Sequence, residues 1–240
     1  MDEKGERILI AGREREIDLF ERVDKGTYRD VKSWDTKGGV DDACIMRDHV
    51  YLLYYDAESG HIIHKYTVDG EYVAGFGEPY KSTNPMVVQI FSGSGSLSCI
   101  AQPGVVGYIG EFIPVLMAYS EDGALLWRLK VEGIKSPVEV LETVSDGRPS
   151  IRYNSSKQNE KGRGHITASG AYGDGNFYVN VTKSLGDEER REYVFRVDAL
   201  SGAYTHIGHG SVQHVTEHDL IVRLLWERDA APQVEIRSRE

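Results

Sequence analysis

Cysteine is nearly absent from this 240-residue chain: Cys44 and Cys99 are the only two. No CxxC or Cys/His spacing that would hold zinc occurs, and two cysteines make no disulfide framework. Each lies in an apolar stretch, which reads as a pair of buried thiols. Long hydrophobic runs are missing too. None approaches the ~18 residues of a membrane-spanning helix. The opening Met1-Asp2-Glu3-Lys4-Gly5-Glu6-Arg7 has no apolar stretch of the signal-peptide kind. Positive charge is in deficit, with 28 Lys and Arg against 38 Asp and Glu, a net charge of −10. That sign argues against nucleic-acid and anionic-membrane partners, whose phosphates require a basic surface.

Catalytic signatures are missing as well. "GSGS" at 93–96 is not the GxSxG of a nucleophile elbow. "GIKS" at 133–136 lacks the Gly-rich lead of a phosphate-binding loop, and "GAYGDG" at 170–175 is not GxGxxG. Helical periodicity is unconvincing throughout, and "SLGDEERRE" at 184–192 reads as a solvated hairpin loop.

Tyrosine, glycine and alternating strands are plentiful: 14 Tyr and 26 Gly, in a chain that is 40% hydrophobic and 28% charged. Tyr-rich strands with scattered Gly turns favour an all-β protein. "YTVDGEYVAGFG" at 66–77 is two short strands over an Asp-Gly turn, and the arrangement recurs. Phe20…Gly26-Thr27-Tyr28, Tyr66…Gly70-Glu71-Tyr72, Tyr119…Gly123-Ala124-Leu125 and Phe195…Gly202-Ala203-Tyr204 each place an apolar residue one position after the turn glycine's neighbour. Residues 49–76 read strand, "DAESG", strand, "VDG", strand, a meander.

The other strands fall into the same register. Inner strands are placed at 7–11, 49–55, 104–109, 176–181 and 219–225, each followed by a middle strand at 17–20, 61–66, 114–119, 192–197 and 232–236. A further innermost strand fits at 43–46, 97–101, 165–169 and 212–216. The unit is about four strands, and successive inner strands begin 42, 55, 72 and 43 residues apart. That spacing is close to the propeller-blade period of about 40–50 residues once an insertion is allowed. The polar, Gly-rich segment 145–164 is read as that insertion, a long loop between the third and fourth units. Such meanders cannot bury both faces alone, and radial stacking covers them. A β-propeller spanning 1–240 as one domain is therefore the expected fold, with a β-sandwich as competitor.

"GERILIAGREREIDLFERVDKGTY", "YTVDGEYVAGFGEP" and "AYSEDGALLWRL" resemble the six-bladed β-propeller proteins of bacteria related to NHL-repeat and TolB-like propellers. The resemblance covers about 5–208, more weakly the tail, and its motifs are structural. It implies an exported, periplasmic setting, although the chain shows no signal peptide; localisation stays open. Five units are recognisable: the first begins at its second strand and the last ends at its third. A six-bladed ring would then be short of roughly 60–80 N-terminal residues at the propeller repeat length. Open edges of an incomplete ring would favour oligomerisation.

Candidate site residues follow from this frame. "HIGHGSVQHVTEH" holds His206, His209, His214 and His218. His209 and His214 are placed near the channel mouth, while the four together diverge, so converging metal ligation is not expected. Asp24, Asp69, Asp122 and Asp198 are turn residues that match no calcium loop. Asp41 and Asp42, on the connection entering the second unit, are polar candidates for ligand contact. Trp34, Trp127 and Trp226 read as packing residues. The expected function is a non-enzymatic propeller scaffold holding a protein, peptide or glycan on one face, with no cofactor. The alternative is a divalent-metal hydrolase resembling gluconolactonase-like propellers, for which Asp41, His214 and Asn176 are the residues to invoke.

Overall fold

The computed structural model describes residues 6–11, 15–136, 139–145, 148–154, 160–170, 175–186, 189–209, 214–215, 219–225 and 233–238. These residues are all-β apart from one short helix, and the strands form antiparallel meanders in chain order. The first sheet has three strands, β1 (Arg7–Ala11), β2 (Glu16–Asp24) and β3 (Thr27–Asp35). The second has four, β4 (Asp42–Met46), β5 (His49–Asp56), β6 (His61–Thr67) and β7 (Tyr72–Phe76). Helix α1 (Pro85–Gly93) leads into a third sheet of β8 (Gly95–Ile100), β9 (Val105–Gly110), β10 (Val115–Ser120) and β11 (Leu125–Lys130). A two-stranded hairpin, β12 (Glu139–Ser145) and β13 (Arg148–Asn154), comes next. The fourth sheet is β14 (Gly164–Gly170), β15 (Asn176–Gly186), β16 (Glu189–Asp198) and β17 (Tyr204–His209). A three-stranded sheet of β18 (His214–Val215), β19 (Asp219–Leu225) and β20 (Gln233–Ser238) is the last in chain order.

The core lies between the sheets as layers, and this explains the composition of the second strands. In β5, Val50, Leu52 and Tyr54 pack with Ile17 and Leu19 of the first sheet. Tyr51 and Leu53, on its other face, pack with Val106, Tyr108 and Met117 of the third. A strand covered on both faces needs an unbroken apolar run, as "VYLLY" supplies. A third layer joins Ile109 and Leu116 to Phe177 and Val179 of the fourth sheet. Leu52 and Leu53 are both fully buried. Each contributes roughly 1.5–3 kcal/mol of transfer free energy, an upper range because the unfolded chain already hides some surface. The first strands of successive four-stranded sheets lie against one another, β4 against β8 and β8 against β14.

A second joint repeats at the sheet rim. Gly70, Gly123 and Gly202 occupy the turn before the outermost strand of the second, third and fourth sheets, with φ of 83°, 88° and 70°. Each is capped by an aromatic ring from the sheet before it. A Cβ on Gly70 would stand 2.9 Å from Trp34, one on Gly123 2.8 Å from Phe76, and one on Gly202 2.8 Å from Trp127. The recurring Asp-Gly or Ser-Gly turn thus serves two needs, left-handed backbone and room for the neighbour's ring. The residues that follow hold matching places. Tyr28 pairs with Arg22, Tyr72 with Tyr66, Leu125 with Tyr119 and Tyr204 with Val197, all at the start of outermost strands.

The structure departs from the sequence reading in four places. Cys44 and Cys99 are not free thiols but a disulfide linking β4 to β8 across 55 residues; they lie on innermost strands of neighbouring sheets, an adjacency that no local pattern conveys. The segment expected as a loop over 145–164 contains β13 and the end of β12. The register sets Val140 opposite Tyr153, Glu142 opposite Ile151 and Val144 opposite Pro149. A hairpin needs only one apolar face, so its polar composition was a poor guide. Helix α1 was not anticipated either. It starts where Asn84 accepts a hydrogen bond from the Met86 amide (3.0 Å), with Pro85 in the first turn. In 184–192, strand pairing runs through Gly186 and resumes at Glu189, so little of that stretch is loop.

Candidate functional site

A cavity lined by several polar side chains lies between the first two sheets and α1, with a volume of about 420 Å³. Arg15 enters from the β1–β2 connection, Lys37, Gly38 and Gly39 from the β3–β4 connection, and Tyr54, Tyr55 and Asp56 from the end of β5. Gln89, Ile90, Gly93 and Ser94 close it from α1.

Local forces hold each wall in place. Arg15 has a left-handed backbone, φ 72°, which costs a residue with a Cβ roughly 1–2 kcal/mol. Thr36 stabilises that conformation: its amide donates to the Arg15 carbonyl at 2.8 Å, and its hydroxyl is 3.0 Å from the same oxygen and 2.7 Å from the Gly38 carbonyl. A non-glycine residue held at positive φ beside a cavity is a functional indicator. Gly38 lies flat on the Tyr54 ring, where a Cβ would be 2.8 Å from Cδ2.

Tyr54 is fixed from beneath. Its ring stacks on His64 with centroids 3.8 Å apart and planes 11° from parallel, and its hydroxyl lies 2.8 Å from that of Tyr66. His64 is 1% exposed. Its Nε2–H donates to the Tyr54 carbonyl at 3.1 Å, which sets the tautomer because a carbonyl only accepts. Burial pushes the His64 imidazole down to about 4. The Tyr54 phenol is pushed up, first by burial and then by its hydrogen bond to Tyr66. Both rings are therefore neutral at pH 7.

At the rim, Lys37 pairs with Glu58 at 3.3 Å. That hydrogen bond holds the ammonium above its usual pKa. Asp56 accepts from the Glu58 amide at 2.9 Å. Among the described residues, no carboxylate forms an ion pair with Arg15. The α1 wall is anchored by ring contacts, Tyr80 to Phe91 at 5.0 Å and Phe91 to Phe112 at 5.5 Å, and by the Tyr80 amide donating to the buried Ser92 hydroxyl at 2.8 Å.

The sequence-derived candidates take other places. Asp41 accepts from the Gly95 amide at 2.8 Å, and Asp42 from those of Leu97 at 2.7 Å and Ala43 at 2.8 Å. Burial raises the Asp42 carboxyl above the ordinary aspartate value. Both carboxylates thus tie β4 to β8, and Asp41 fixes the corner next to Ser94. His209 ends β17, an edge strand of the fourth sheet, with its ring 5.3 Å from Tyr193 and 5.4 Å from His206. His214 starts β18, opposite Ile221, in a different sheet. His218 and Trp226 lie outside the described residues. Among the described residues, no three His, Cys, Asp or Glu side chains converge as metal ligands. Arg15, Tyr54 and α1 were missed by sequence reasoning. Only the Asn84-Pro85 pair signalled any of them.

No family model and no curated protein matches the chain. Among solved structures it is similar to a functionally unknown protein from Desulfotomaculum acetoxidans, with 12% identity and a TM-score of 0.43 over 87% of this chain and 68% of that one. It is also similar to the hydrazine synthase of Kuenenia stuttgartiensis, with 9% identity and a TM-score of 0.42 over 88% and 65%. The chain spans about two-thirds of the length of either.

Proposed function

We propose that this chain is a non-enzymatic scaffold of the β-propeller type and that it binds a glycan residue in the cavity beside α1. The observation that carries this reading is a preorganised wall, with Gly38 laid on a Tyr54 ring that is itself stacked on a buried neutral histidine. Such a surface loses little freedom when a ligand arrives. A volume of about 420 Å³ is near the low end of the 300–1,000 Å³ range of small-ligand sites. It suits one small residue better than a protein surface. The lining offers guanidinium, ammonium, amide, carboxylate and hydroxyl groups beside two tyrosines, a set that matches hydroxyl-rich ligands better than apolar side chains. The radial arrangement is supported by the layered cores and the repeated rim joint, both of which place one face of each sheet against the next. An oxidising compartment fits the Cys44–Cys99 disulfide.

The test is saturation-transfer NMR with simple methyl glycosides on the wild type and on Gln89→Trp, which puts an indole into the mouth from an exposed helix position. Binding by the wild type and its loss in the variant are expected. Binding that persists unchanged in the variant places the ligand elsewhere and overturns the assignment.

A further inference from the structure

Resting on that assignment, we infer that the sugar is acidic, a uronic-acid type residue whose carboxylate is read by Arg15. The chain carries a net charge of −10, so its overall field repels anions, and cations gathered in one cavity run against the composition. Two cations nevertheless line it, Arg15 and Lys37. Their situations differ. Lys37 already shares its charge with Glu58 at 3.3 Å. Arg15 forms no ion pair with any carboxylate among the described residues. Its backbone is held at φ 72° by both hydrogen-bonding groups of Thr36, so the chain maintains an unfavourable conformation at the position that carries this guanidinium. A planar guanidinium presents a fork of N–H donors that matches a carboxylate in two parallel hydrogen bonds. The one lining carboxylate, Asp56, is engaged by the Glu58 amide within its own turn. Asp56 makes no ion pair with Arg15 among the described residues, and Gln89 and Ser94 line the cavity as partners for hydroxyls.

Calorimetric titrations with methyl galacturonoside and methyl galactoside, at low and high salt, test this on the whole chain. The acidic sugar is expected to bind about tenfold or more tightly than the neutral one, as a charge-assisted pair implies. Arg15→Gln, of similar reach, should erase that preference by weakening the acidic sugar far more than the neutral one. Glu58→Gln, which releases Lys37, should strengthen binding of the acidic sugar alone. Equal affinities for the two sugars refute the acidic class and leave the glycan cavity standing, whereas binding of neither overturns both. A preference that survives Arg15→Gln refutes the role of Arg15.

Discussion

Reduction of the Cys44–Cys99 disulfide should lower the stability of the fold by about 4 kcal/mol. The bond closes a loop of 55 residues. The loop-closure relation then gives the reduced chain about 14 cal/mol/K more unfolded-state entropy, or about 4 kcal/mol at 25 °C. Three ties join β4 to β8: Asp41 to Gly95, Asp42 to Leu97, and the disulfide. The two carboxylate bonds and the layer containing Tyr51, Leu53 and Val106 survive reduction, so the chain should remain folded but weaker. For a domain of this size, the loss corresponds to a fall in Tm of roughly 8–16 °C. Thermal melts followed by circular dichroism, with and without dithiothreitol, read it directly. The Cys44→Ser/Cys99→Ser double variant should reproduce the reduced value without responding to reductant. Thiol titration in denaturant without reductant should find no free sulfhydryl. Two titratable thiols, or melts that coincide in both buffers, would falsify the linkage and restore the picture of two separate buried cysteines.

Gly123→Ala should cost at least about 1 kcal/mol more than Gly60→Ala in chemical denaturation. Both glycines have positive φ, 88° and 71°, but only the first would meet a neighbour, Phe76 at 2.8 Å, so the difference isolates overpacking at the joint. Trp127→Phe should destabilise more than Trp34→Phe, by about 1 kcal/mol. Trp127 Nε1 donates to the Ala199 carbonyl at 2.8 Å, whereas Trp34 Nε1 is buried with no acceptor among the described residues. Equal losses would contradict the joint geometry. Stability should also fall as pH drops from about 6.5 towards 4, by up to about 3 kcal/mol. Burial depresses the His64 pKa to about 4, so the unfolded chain binds the proton first, and His64→Gln should flatten the profile. The raised Asp42 pKa opposes this decline in the acid range.

The strand framework was legible because burial imposed a pattern that composition could not hide. "VYLLY" at 50–54 has no polar alternation since sheets lie on both faces, and "VDG" at 68–70 had to be a turn. Polarity misled at the β12–β13 hairpin, whose strand pairing needs no apolar run. The disulfide stayed hidden for a different reason: it depends on two innermost strands, 55 residues apart, being neighbours in space.

The cavity was illegible because its residues are ordinary one at a time. Arg15 matters through its backbone angle, Gly38 through the ring beneath it, and His64 through a stack on Tyr54. None of these is a spacing in sequence. The Asp41 and Asp42 candidates show the reverse case. Their place on the connection entering the second sheet made them candidates for ligand contact, and in the structure their carboxylates accept from main-chain amides of β8. Asp41 thereby holds the Ser94–Gly95 corner of the cavity, as Thr36 holds Arg15 at the opposite rim. Removing either group should therefore disturb binding by loosening a wall. That effect should weaken acidic and neutral sugars alike, whereas loss of the Arg15 charge should weaken the acidic sugar most and bring the two affinities together.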